Sequence, residues 1–164
     1  MKKKYTTFAV KQTENLCKIP SPSGFTKLAT DYLKKECKKL GFVASSSRKN
    51  SVLVDIGGKG KPVVLAAHVD TLGAMVRSLK SNGRLRFTKI GGYPENNIEA
   101  ENCIIHTRDG KEYSGAIQLN NPAAHVNREL AKDKRTDETM EVVIDEKVRC
   151  VKDVEKLGIS TGDF

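Results

Sequence analysis

His68 and Asp70 are the side chains best suited to chemistry in this 164-residue chain. They stand two apart in His68-Val69-Asp70, where the apolar run Pro62-Val63-Val64-Leu65-Ala66-Ala67 ends. Successive side chains of a strand point to opposite faces, so residues two apart share a face. The carboxyl end of a buried strand is where open α/β sheets receive ligands. A neutral imidazole is a good ligand for a divalent metal, and a carboxylate two residues on can accept its other N–H. A structural histidine hydrogen-bonded to Asp70 satisfies the same spacing, and spacing alone leaves both readings open.

Other reactive side chains carry weaker signals. His106 falls in a strand pattern, where an exposed or hydrogen-bonded position is expected. Asp133, Asp137, Glu138, Glu141, Asp145 and Glu146 read as a solvated loop and strand edge rather than a metal cluster. Cys17, Cys37, Cys103 and Cys150 are far apart, with no C-x-x-C pair and no accompanying His motif. They read as reduced thiols of a cytosolic protein. Gly57-Gly58-Lys59-Gly60-Lys61 resembles a phosphate loop only superficially. It lacks the Walker spacing, has no Ser/Thr after its lysine, and precedes a strand rather than a helix. It is a turn.

The elements that must position His68 and Asp70 follow from periodicity and punctuation. Residues 5–18 have helical spacing, with Phe8, Leu16 and Cys17 as candidates for a buried face. Ile19-Pro20-Ser21-Pro22-Ser23-Gly24 breaks that helix, because each proline lacks an N–H and restricts its predecessor. Ser23 is placed to cap a second helix, Phe25–Leu40, whose inner face would be Leu28, Tyr32 and Leu33. Gly41 is its left-handed stop. Phe42–Ser45 and Ser51–Ile56 read as strands. The unalternating run Pro62–Asp70 reads as a strand covered on both faces. Two helices followed by these strands suggest one half of an α/β sheet.

The pattern changes near Thr71. Short strands are expected at 74–80, 84–89, 101–107, 112–119 and 141–144, a pattern that suits a small β-barrel or sandwich. Asn82-Gly83 and Asp109-Gly110 supply the positive φ angles of tight hairpin turns. The polar segment 127–139 reads as a mobile surface loop. A short helix, Val148–Leu157, comes before the C-terminal residues.

Charge and hydropathy narrow the function classes. Residues 1–62 carry 14 Lys/Arg against 4 Asp/Glu, whereas residues 63–164 carry 15 against 16. The net charge of +9 therefore comes from the Lys-rich first third, where a solvated helical face explains it. The chain has no Trp and no aromatic-and-glycine strand motif, so nucleic acid is not an expected partner. No apolar run reaches the roughly 18 residues of a membrane-spanning helix. No apolar stretch follows the N-terminal lysines, so no secretion signal is read and a cytoplasmic location is expected.

Several segments together resemble one known family. Val63–Val76 (Val-Val-Leu-Ala-Ala-His-Val-Asp-Thr-Leu-Gly-Ala-Met-Val) looks like the first metal-ligand segment of the glutamyl-aminopeptidase family. That family of dinuclear metallopeptidases includes the tetrahedral aminopeptidases. The likeness continues, in order, through Gly91-Gly92, Tyr113–Ile117, Asn121-Pro122-Ala123-Ala124-His125 and Leu157–Asp163. Upstream, Ile19–Gly24 resembles the loop before the family's second helix, and Asn50–Val54 its following strand. Thr71 stands where a Glu is frequent.

The resemblance implies an α/β fold. An incomplete N-terminal part of a metallopeptidase catalytic domain (residues 1–70) would precede a small β-barrel-like insertion domain (residues 71–164). It implies that His68 ligates one of two divalent metal ions, zinc or cobalt, and that Asp70 supports its imidazole. His125 matches a histidine of the insertion domain rather than a ligand. The expected activity is removal of N-terminal residues from peptides, by water activated between the two metals. The expected assembly is a homo-oligomer, from dimer to dodecamer, through the insertion domain. The family's other ligands and its general base lie beyond Phe164, so the chain is expected to be inactive alone and to expose Val63–Ala67, with self-association as the consequence. The alternative is a non-catalytic assembly or interaction module.

Overall fold

The computed structural model describes residues 2–164. The chain divides into two compact units between Thr71 and Leu72. The first contains α1 (Lys2–Cys17), α2 (Lys27–Lys39), β1 (Ala44–Ser46) and β2 (Val52–Val54). Gly41 follows α2 with φ +86°, the left-handed stop its position predicts. β1 and β2 pair antiparallel, with Ser45 opposite Leu53.

Packing in this unit departs from the apolar-face expectation. α1 meets α2 through polar side chains: the Asn15 amide donates to the Tyr32 hydroxyl, which in turn donates to Gln12. Phe8, Leu28 and Cys17 are exposed, and α2 instead buries the small residues Ala29 and Thr30. The run Pro62–Asp70 is likewise not a buried strand. No β-ladder includes it, and Val63, Val64 and Leu65 are 84%, 84% and 90% exposed. A strand exists only through a neighbour's hydrogen bonds, and β1 and β2 pair with each other instead. The run is therefore exposed, and the only sheet of this unit among the described residues is the β1–β2 pair.

The second unit is an antiparallel sheet of five strands with one helix against it. β3 (Gly73–Leu79), β4 (Leu85–Ile90), β5 (Asn102–His106), β6 (Glu112–Leu119) and β7 (Met140–Ile144) lie in the order β3-β4-β7-β6-β5. A 3-10 turn at Glu95–Ile98, absent from the sequence-based expectation, follows the Gly91-Gly92 loop. Period-two burial along β6 puts Gly115, Ile117 and Leu119 inward. Gly115 has no room for a side chain, since a Cβ there would lie 2.7 Å from the Val143 carbonyl oxygen. Leu85, Phe87, Leu119 and Met140 form the core, and α3 (Val151–Leu157) closes it with Val154. The Asn82-Gly83 and Asp109-Gly110 turns join β3 to β4 and β5 to β6, with φ +82° at Gly83 and +83° at Gly110.

Two polar expectations change here. Glu141 is not a solvated edge residue: it is fully buried on β7, paired with both Lys80 and Arg84. The polar segment 127–139 is fastened at several points. Arg135 pairs with Glu99 at 2.7 Å, and Arg77, at the bulge in β3, reaches Glu138 at 2.7 Å. A bulge re-aims a side chain, which puts Arg77 within reach of that segment.

Candidate metal-ligand site

The loop before α2 docks on the segment that carries His68 and Asp70. The loop before α2 runs beside residues 69–71: Thr71 N–H donates to the Ser21 carbonyl at 2.8 Å, and the Ser21 hydroxyl donates to the Val69 carbonyl at 2.8 Å. Pro22 and Thr71 form a parallel bridge. The Ser23 hydroxyl then donates to Asp70 Oδ2 at 2.6 Å. Ser23 is therefore not the cap of α2. Thr26 occupies that position and makes no side-chain capping bond.

The alternation Pro20-Ser21-Pro22-Ser23 is what allows this docking. Pro22 keeps Ser21 extended, away from the helical region, and a turn closed by the Phe25 N–H on the Pro22 carbonyl at 2.7 Å presents Ser23. Both serines can then bond to the neighbouring segment. Sequence reasoning missed their roles, and the period-two spacing of the serines was the available signal.

His68 and Asp70 are in contact, as their spacing predicts. Nδ1 of His68 lies 3.0 Å from the Asp70 carbonyl oxygen and 3.3 Å from its carboxylate Oδ1. Both neighbours are acceptors only, so Nδ1 is the ring nitrogen placed to donate, and in the neutral ring Nε2 is the one with the lone pair. The imidazole is 86% exposed. The ring is thus held at Nδ1 by a backbone carbonyl with the carboxylate beside it, and its Nε2 side is open. The Ser23 hydroxyl does most to hold the Asp70 carboxyl below its ordinary value; partial burial opposes it, and the His68 imidazole adds to the lowering.

Beside this pair lies a cavity of ≈ 510 Å³. Thr30, Lys27, Lys49 and Asn50 contribute to its wall. Asn50 sits at φ +63° in the β1–β2 turn, and its amide donates to the buried Thr30 hydroxyl at 2.8 Å. The donor set fits one metal ligand with its support. Among the described residues, no group of three or more His, Cys, Asp and Glu side chains could hold a metal ion. A catalytic zinc ordinarily has three protein ligands.

The other histidines belong to the second unit. His106 is largely buried, with Nδ1 3.3 Å from Glu112 Oε1, and His125 is exposed. Neither belongs to a group of three or more such side chains among the described residues.

The profile of the M42 glutamyl aminopeptidase family matches residues 50–164, most of the chain. The chain belongs to that family. YhfE of Bacillus subtilis (strain 168) is 40% identical to it over 153 residues, covering 92% of this chain and 44% of that protein. The TET aminopeptidase of the marine sediment archaeon Thaumarchaeota archaeon SCGC AB-539-E09 superposes with a TM-score of 0.83 at 22% identity, over 94% of this chain and 43% of that one. The TET1 peptidase of Pyrococcus horikoshii, which can assemble into a tetrahedron or a large octahedral shell, superposes at 0.77 with 19% identity, over 94% and 45%. These likenesses at low identity establish a shared α/β fold. The chain spans less than half the length of each of these proteins.

Proposed function

We propose that this M42 chain supplies the first metal ligand, and the assembly domain, of a metal-dependent aminopeptidase. The observation that carries the proposal is the relay Ser23–Asp70–His68, which leaves Nε2 of His68 open at the edge of a cavity. His68 would hold one of two divalent ions, zinc or cobalt, and Asp70 would fix its tautomer and orientation. When bound, such metals polarise a peptide carbonyl and lower the pKa of a water. The chain's own contribution is to keep Nδ1 protonated and the ring in place. Ser23 holds Asp70, and the Ser21 and Thr71 contacts hold the segment that carries both.

Residues 1–70 read as the N-terminal portion of the catalytic domain, and residues 71–164 as an insertion domain through which copies assemble. Peptides are the substrates, and the cytoplasm is the location that fits reduced cysteines. The chain alone is inactive, because one histidine and one supporting carboxylate cannot hold two metals. A second reading, a non-catalytic assembly module, draws on the distribution of the core, since nearly all buried hydrophobic residues lie after Thr71.

The test is to graft residues 1–164 in place of the matching portion of a full-length family member. The graft is assayed with amino-acid anilides plus zinc or cobalt. Turnover that disappears in His68→Ala, together with loss of one bound metal, is the expected result. An active graft indifferent to His68→Ala would overturn the assignment, and an inactive graft with an intact fold would favour the assembly module.

A further inference from the structure

We propose that residues 160–164 form a strap that closes both outer edges of the five-stranded sheet, with the Asp163 carboxylate as its latch. β3 and β5 are the outermost strands. On the β3 side, Val76 N–H donates to the Asp163 carbonyl at 2.7 Å, and Gly162 N–H donates to the Val76 carbonyl at 2.8 Å. On the β5 side, His106 and Phe164 exchange both backbone bonds, His106 N–H to Phe164 at 2.6 Å and Phe164 N–H to His106 at 3.2 Å. Three consecutive residues thus bond to both ends of the strand order. The path β3-β4-β7-β6-β5 returns to β3 through the strap.

One buried side chain holds this segment in place. Asp163 is 1% exposed. Its Oδ2 accepts the Ser160 N–H at 2.7 Å, with the Ser160 hydroxyl at 3.5 Å, and folds the strap on itself. Its Oδ1 accepts the Arg108 N–H at 3.2 Å, which ties the strap to the β5–β6 turn. Arg108 reaches back, its guanidinium donating to the Thr161 carbonyl at 3.1 Å and lying 3.9 Å from Oδ1. Gly162 passes directly under that guanidinium at φ +91°; a Cβ there would lie 2.1 Å from Nη2. Buried Ile159 anchors the segment at its other end.

An open sheet edge is a row of unpaired donors and acceptors that invites an extended segment from another chain. While the strap is latched, Val76 and His106 are already paired. Release of Asp163 makes both edges available together, because the two edge contacts are neighbours in one short segment. Asp163 has no part in the metal-ligand proposal, so the strap stands or falls independently of it.

Amide hydrogen exchange on the whole chain tests this. Asp163→Asn keeps the side chain's size but replaces one acceptor oxygen with a donor. The expected result is exchange about tenfold faster or more at Val76 and His106, in line with loss of a hydrogen bond to a charged group. Exchange at Ile117 of β6, whose N–H donates to the Glu101 carbonyl just before β5, should be unchanged. Gly162→Ala attacks the same latch through strain and should give the same selective pattern. Unchanged protection at Val76 and His106 in both variants would overturn the proposal, as would an equal rise at Ile117, which would mark a general loss of stability.

Discussion

Ser23 and Asp70, far apart in sequence, are joined by a 2.6 Å hydrogen bond from the serine hydroxyl to the carboxylate. It orders the one carboxylate in contact with the His68 imidazole. The bond also sets how Asp70 titrates. The folded carboxyl is lowered from its ordinary 3.8, chiefly by Ser23. A group lowered by folding stabilises the fold above its unfolded value, and that contribution fades as pH falls through the lowered one. Ser23→Ala should move the Asp70 midpoint up toward 3.8, so the contribution is lost at a higher pH. Carboxyl NMR titration of the two proteins measures this, and an unmoved midpoint would show that Ser23 does not control Asp70.

The Glu141 pairings carry a stability prediction. Its carboxylate is fully buried, whereas Lys80 and Arg84 remain partly exposed. Truncating a buried partner strands the opposite charge, but here both cations can turn to water, which reduces the cost. Glu141→Ala should therefore destabilise the second unit by about 2 kcal/mol. Urea unfolding gives the value, and a loss below about 0.5 kcal/mol would mean that the two cations were doing little there.

The cysteines should differ in reactivity. Burial, with a smaller effect from Asp145, pushes the Cys103 thiol up to about 11. Thiolate is the reactive form, so Cys103 should resist iodoacetamide at pH 8 while exposed Cys17 is alkylated. Peptide mass spectrometry over a time course resolves the two. Comparable labelling of Cys103 in the folded chain would contradict its burial.

The exposed run at Val63–Leu65 should make the isolated chain associate with itself. Apolar residues of this kind, two of them β-branched valines, without a ladder partner are a template for pairing. Val64→Lys places a charge in the middle of that template and should lower the apparent mass in light scattering at high protein concentration. A wild-type chain that stays monomeric would remove the premise.

Much of the local architecture is legible without coordinates. Gly41 ends α2, and Asn82-Gly83 and Asp109-Gly110 turn their hairpins, because each needs only a backbone conformation that its own residue types favour. The contact of His68 with Asp70 is also local, since one residue separates them in the chain. Ser23 illustrates the opposite case. Its position before α2 suits a helix cap, but a competing acceptor, Asp70, is brought beside it by the docking of Ser21 on residues 69–71.

Sequence alone therefore determined the helix stops, the hairpins, the change of character near Thr71 and the pair His68–Asp70, all set by short-range sterics and periodicity. Tertiary structure decided the partners. Glu141 became a buried ion-pair centre because strand order carries it to Lys80 and Arg84, and Asp163 became a latch because the sheet brings Arg108 to it. The apolar run after Pro62 shows the same division from the other side. Its composition suits a covered strand, yet a strand and its cover are made by neighbours, and the described residues provide none along Val63–Leu65.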